Sequence, residues 1–174
     1  MIVYWLPVLI PILLYVILFS IELVFSFRRL TAHAHIDQYF QISWEITHTL
    51  LIVGVSTFLW VFSDLVPLVG SDVYTLLLFV GVLFFLRAIT YALIFYVWPG
   101  ERHPMTDWLF ACSHVGLFAL LTTIIIKVGY RVAHTSYHAN TELLPYVWPG
   151  VILIIAVSLV PVIQGYMTWK EKKA

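Results

Sequence analysis

The sequence predicts an all-α integral membrane protein, a bundle of about five transmembrane helices arranged as a four-helix bundle plus one. Three observations predict it. Of 174 residues, 62% are hydrophobic and only 10% are charged, against roughly a quarter charged in water-soluble domains. So few charges could not cover a water-facing surface, whereas lipid needs no such cover. Five apolar segments reach the roughly 20 residues that a helix needs to cross a bilayer. Open strands are excluded, because lipid leaves their backbone groups without partners.

The five helices are expected at residues 3–25, 42–62, 73–98, 108–127 and 144–169, and the chain 1–174 reads as a single transmembrane domain. In the first, Pro7 is expected to open the helix and Pro11 to kink it. The pentapeptide Tyr-Val-Trp-Pro-Gly occurs at 96–100, ending the third helix, and again at 146–150, opening the fifth. It reads as interfacial Tyr/Trp anchoring beside Pro-Gly punctuation rather than as a repeat. The apolar start lacks the positive flank of a cleavable signal peptide. Cys112 has no partner for an internal disulfide and reads as a small core residue. The formal net charge is zero, which argues against a nucleic-acid partner.

Lys and Arg set the expected orientation. Arg28, Arg29, Arg102, Lys170, Lys172 and Lys173 fall on one side, and Lys127 and Arg131 on the other. The positive-inside rule then places the N-terminus outside and the C-terminus in the cytoplasm.

Ionisable residues inside the apolar segments carry the functional signal, since a charge at mid-bilayer is costly and marks a pathway or a pair. Glu22 lies near the inner end of the first helix, with Ser26 one turn on and on the same face. Glu45 lies near the inner end of the second, so the two carboxyls are expected to meet in one protein-lined interior. Arg87 sits deeper, in the third helix. It cannot give up its proton, so it reads as a counter-ion or anion clamp. Together Glu22, Glu45, Ser26 and Arg87 read as a proton path from the inner surface. The plainer reading is interfacial snorkelling or a simple pair with Arg87.

His48 and His114 each lie about six residues inside the start of their helices. Were the second and fourth helices to face each other, the imidazoles would sit at matching depth for bis-histidine haem b ligation, with Gly54, Gly81 and Gly116 making room; two hydrogen-bonded bundle histidines is the plainer reading. His33 and His35 with Asp37, and His134 with His138, lack a third ligand and read as polar loop residues rather than metal sites. No glycine-rich phosphate loop, Gly-x-Ser-x-Gly or His-Glu-x-x-His motif is present, so no catalytic residues are assigned.

These residues resemble, in order, those of subunit II of the cytochrome bd-type quinol oxidases, as a roughly half-length form. Glu22 matches the first acid of that family's helix-1 Asp-Gly-x-Asp pattern, with Phe25 at the second acid and Ser26 beside it. Trp44-Glu45 looks like its Trp-Asp pair, and 83–87, Leu-Phe-Phe-Leu-Arg, like its helix-3 Leu-Phe-Phe-Arg run. Trp108 and Ser113 also fit, and Leu144-Pro145-Tyr146 looks like the start of a second half. The family's acid after the helix-3 Arg is missing from 88–92. The resemblance implies a non-catalytic, haem-free subunit packed against a haem-bearing membrane subunit. It further implies a bacterial or archaeal cytoplasmic membrane, a quinol pool, and proton delivery through Glu22, Glu45 and Arg87 for oxygen reduction. A quinone or lipid is a further candidate occupant. The alternatives are a haem b membrane anchor of a respiratory dehydrogenase, held by His48 and His114, and a non-redox accessory or assembly protein.

Overall fold

The computed structural model describes residues 2–31, 34–99, 101, 103–136 and 138–171. His33, Arg102, Lys172 and Lys173 lie outside the described residues, as does the side chain of His35.

Among the described residues five long helices follow one another: α1 (Ile2–Arg29), α2 (Ala34–Val61), α3 (Val66–Ala92), α4 (Pro104–Ala133) and α5 (Leu144–Glu171). Among the described residues there is no strand. Each helix is long and apolar enough to cross a membrane. Short 3₁₀ turns, Ser63–Leu65 and Thr141–Leu143, lead into α3 and α5.

α1 to α4 overrun the expected apolar limits at one end or both, because backbone hydrogen bonding carries a helix past the apolar run that lipid requires. α1 begins at Ile2, so Pro7 and Pro11 lie inside it and Pro7 does not open it. α2 takes in the polar stretch from Ala34, with Asp37 in its first turn, where a negative charge complements the helix dipole. Pro67 and Pro104 stand at the first turns of α3 and α4, where the missing N–H is no loss. α3 ends in a π-turn, Leu93–Val97, closed by Trp98 N–H donating to Leu93 O at 2.9 Å.

α1 is the central helix, packed along α2, α4 and α5; α3 pairs with α4, and α5 also packs on α2. Two glycines permit the closest approaches. A Cβ on Gly54 would meet Ile12 Cγ1 of α1 at 2.7 Å, and one on Gly116 would meet Leu83 Cδ1 of α3 at 2.7 Å. α2 and α3 are not among the closely packed pairs. They meet through large rings, with Trp44 stacked on Tyr91 at 4.1 Å and His48 tilted against Phe84 at 5.4 Å.

Apolar layers follow the bundle axis. Val8, Phe62 and Val69 belong to the layer at one end, Leu18, Leu50 and Leu117 to the middle, and Phe25, Phe40 and Phe110 to the other end. The outer surface is apolar too: Leu13, Val82, Phe85, Ile152 and Leu153 are all more than half exposed. A surface of this kind needs lipid around it. Cys112, expected in the core, is exposed on that surface.

Candidate functional site in the bundle interior

Every seventh residue of α1 from Val8 is buried: Val8, Tyr15, Glu22 and Arg29. Two helical turns bring the same face round again, so a carboxylate and a guanidinium both project into the interior. Glu22, Arg87 and His114 have no exposed surface at all. Arg87 Nη2 donates to Glu22 Oε2 at 2.5 Å, and its Nε donates to His114 Nε2 at 3.1 Å. Thr47 Oγ1 donates to the other carboxylate oxygen, Oε1, at 3.0 Å. His114 Nδ1 faces Phe110 O at 2.8 Å. The guanidinium carbon lies 4.3 Å from the Trp44 ring centre and 5.1 Å from that of Phe19. Three helices thus each contribute one member of a carboxylate–guanidinium–imidazole group, and α2 supplies the threonine and the indole.

An unpaired charge here would lack both water and counter-ion; the pair is neutral as a unit. It is not saturated, however. Among the described residues, Arg87 Nη1 and Tyr15 OH are buried without hydrogen-bond partners. The site therefore retains hydrogen-bonding capacity beyond the bonds it makes.

Glu45 is elsewhere. It is exposed on the outward face of α2, in a groove of about 560 Å³ lined by Gln41, Trp44, Glu45, Ala88, Tyr91 and Tyr96. The expected meeting of Glu22 and Glu45 in one interior does not occur, and helical geometry is the reason. Ser43 and Thr47, one turn apart, face inward. Glu45, two residues from each, is turned about 200° away. Its neighbour Trp44 lies between the two environments, touching Arg87 on the inside and lining the groove outside. Ser26 is buried, but its hydroxyl donates to Leu23 O of its own helix at 2.7 Å and does not reach Glu22. Ser113 likewise bonds Phe110 O.

A haem between His48 and His114 does not fit these residues. The helices that carry them, α2 and α4, are not closely packed partners. Both ring nitrogens of His114 are engaged, and the Nδ1 of His48 bonds Trp44 O at 2.7 Å. Gly54 and Gly116 are occupied by Ile12 and Leu83, while Gly81 faces open space.

A second ionic cluster ties the helix ends. Arg29, closing α1, bonds Asp37 Oδ1 in the first turn of α2 at 2.8 Å and Asp107 in the first turn of α4. Arg29 was expected as a loop charge and Asp37 as part of a polar loop; Asp107 carried no expectation. The sequence signal was an acid in a helix's first turn near a base in another's last. Thr47 was also missed, although its spacing from Ser43 marks a polar strip on the inner face of α2. Among the described residues, no three His, Cys, Asp or Glu side chains come together as a metal site. His134 is exposed and bonds Tyr130 O, and His138 is exposed as well.

No protein-family model, curated protein or solved structure matches this chain.

Chemically, Glu22 is the one interior member of the cluster that can bind a proton and lose its charge in doing so. Arg87 stays charged, and His114 is committed to its two bonds. The arrangement is a titratable carboxylate beside a fixed counter-charge.

Proposed function

We propose that this chain is a non-catalytic membrane subunit of a respiratory complex like the bd-type quinol oxidases. It packs against a haem-bearing subunit and helps conduct protons from the cytoplasm for oxygen reduction, with Glu22 as the proton-binding residue. The observation that carries this reading is the fully enclosed Glu22–Arg87 pair: a titratable carboxylate held inside a span beside a permanent cation, where intramembrane ionisable groups mark proton relays. Three of the residues on which the resemblance rests also converge. Glu22, Trp44 and Arg87, from three different helices, form one contact group. Glu45 supports a partner chain. A carboxylate exposed along a span is poorly served by lipid, and the groove around it adds Gln41, Tyr91 and Tyr96 as polar companions for a neighbouring protein. In this reading the C-terminus is cytoplasmic, the membrane is a bacterial or archaeal cytoplasmic membrane, and electrons come from the quinol pool.

The test is Glu22→Gln in the purified, assembled complex. Oxygen reduction should slow by about 10²-fold, the low end of what a positioned proton-transfer group contributes, while subunit composition stays the same. Full turnover in an intact Glu22→Gln complex would reject the conduit. A second reading, an accessory protein whose buried charges only fix helix pairing, draws on the Arg29 cluster, which joins three helix ends in that way. Recovery of the chain in an assembly free of haem proteins would favour it.

A further inference from the structure

Arg87 has two acceptors among the described residues, and only one of them changes charge. When Glu22 takes a proton, the bond to Arg87 Nη2 weakens and the guanidinium keeps its positive charge in a site with no exposed surface. What then holds it is the Nε bond to His114 and the faces of Trp44 and Phe19. His114 is built to remain an acceptor. Its Nδ1 donates to Phe110 O, which leaves the Nε2 lone pair for Arg87. The ring is fixed by Phe19, stacked at 5.4 Å, and by Phe110 and Phe40, edge-on at 4.4 and 6.0 Å. A proton on Nε2 would aim an N–H at the guanidinium N–H, 3.1 Å away.

We propose that His114 is a positioning residue, whose neutral Nε2 keeps the Arg87 guanidinium in place while Glu22 gains and loses a proton, and that it neither carries the proton nor ligates a metal. The inference rests on the reading of Glu22 as the proton-binding group. The titratable and charged groups around Glu22 are Arg87 from α3, His114 from α4, Tyr39 and, one layer out, His48 from α2, and Tyr15 two turns away on α1. Tyr91 of α3 lies behind Trp44. On α5, Tyr146, Tyr166 and Lys170 are all exposed.

The experiment is infrared titration of the purified full chain in detergent micelles, with the protonated-carboxyl band of Glu22 assigned by its loss in Glu22→Gln. Two variants are compared with the wild type at a pH where the band is partly developed. His114→Leu removes the acceptor; because the bond is made in both states of Glu22 and only its strengthening beside the neutral carboxyl counts, the ratio of protonated to ionised Glu22 should fall about threefold, part of the worth of one hydrogen bond to a charged group. His114→Gln restores a neutral acceptor and should keep the wild-type ratio. An unchanged ratio in His114→Leu, or an equal fall in both variants, overturns the proposal and leaves the role of Glu22 standing. Absence of any Glu22 band at every pH sinks the proton-binding reading, and this inference with it. Nitrogen-15 spectra of the wild-type chain give a check that needs no variant. His114 should stay in the single neutral form protonated at Nδ1 while the Glu22 band grows, and an imidazolium signal from His114 would overturn the assignment.

Discussion

With its guanidinium laid between Trp44 and Phe19, Arg87 meets a carboxylate through one nitrogen and an imidazole through another. Enclosed ion pairs of this kind respond asymmetrically to mutation. Removing both charges is often neutral, whereas removing one strands the other and costs about 3–5 kcal/mol. Glu22→Leu is therefore expected to destabilise the folded chain by about that amount, and Glu22→Leu combined with Arg87→Leu by much less than the sum of the single losses. Denaturant titration in detergent micelles measures both. A loss in the double variant equal to the sum of the two single losses would mean that the pair is not coupled. Glu45 should behave differently. It is exposed and pairs with no charged side chain among the described residues, so Glu45→Gln should leave the stability of the isolated chain unchanged within about 0.5 kcal/mol.

Among the helices, α1 carries the organisation. Its seven-residue stripe places Val8 and Tyr15 in the apolar layers, Glu22 in the polar cluster and Arg29 in the terminal clamp. The clamp joins α1, α2 and α4 through side chains that are unequally buried: Asp107 is 5% exposed and Asp37 is 22% exposed. Arg29→Ala should thus cost about 3–5 kcal/mol by stranding Asp107, and Asp37→Ala distinctly less, as read from the same denaturant titrations. The helix seams make a separate prediction. The Cβ contact at Gly116 falls on the terminal Cδ1 of Leu83, so Ala should be partly accommodated there, whereas that at Gly54 falls on Cγ1 of β-branched Ile12, so Ala should cost more; Val at either site should cost about 1–3 kcal/mol by overpacking.

For the molecule as a whole, five spans are an odd number, so the two ends of the chain emerge on opposite sides of the membrane once every span crosses. The charge bias argues for a cytoplasmic C-terminus. A reporter active only in the cytoplasm should work when fused after Ala174 and fail when fused before Met1, and the reverse pattern would invert the proposed topology. The apolar surface of the bundle also implies that the chain needs detergent or lipid to remain dispersed.

Helix number and class were legible in the sequence because lipid imposes one simple rule, a long apolar run with its backbone bonded internally, and that rule is local. The five spans follow from it, as does the presence of Glu22 and Arg87 within spans. Which of those polar groups meet was not legible, since it depends on helix rotation and on the choice of neighbour. Glu22 and Glu45 were expected at similar depth, yet one faces inward and the other outward. His48 and His114 were expected at matching depth as well, yet α2 and α4 are not close partners, and His114 is held by an arginine that arrives from α3. Composition and span length belong to the chain alone; the Glu22–Arg87–His114 group exists only because packing around α1 brings three distant stretches to a single enclosed point.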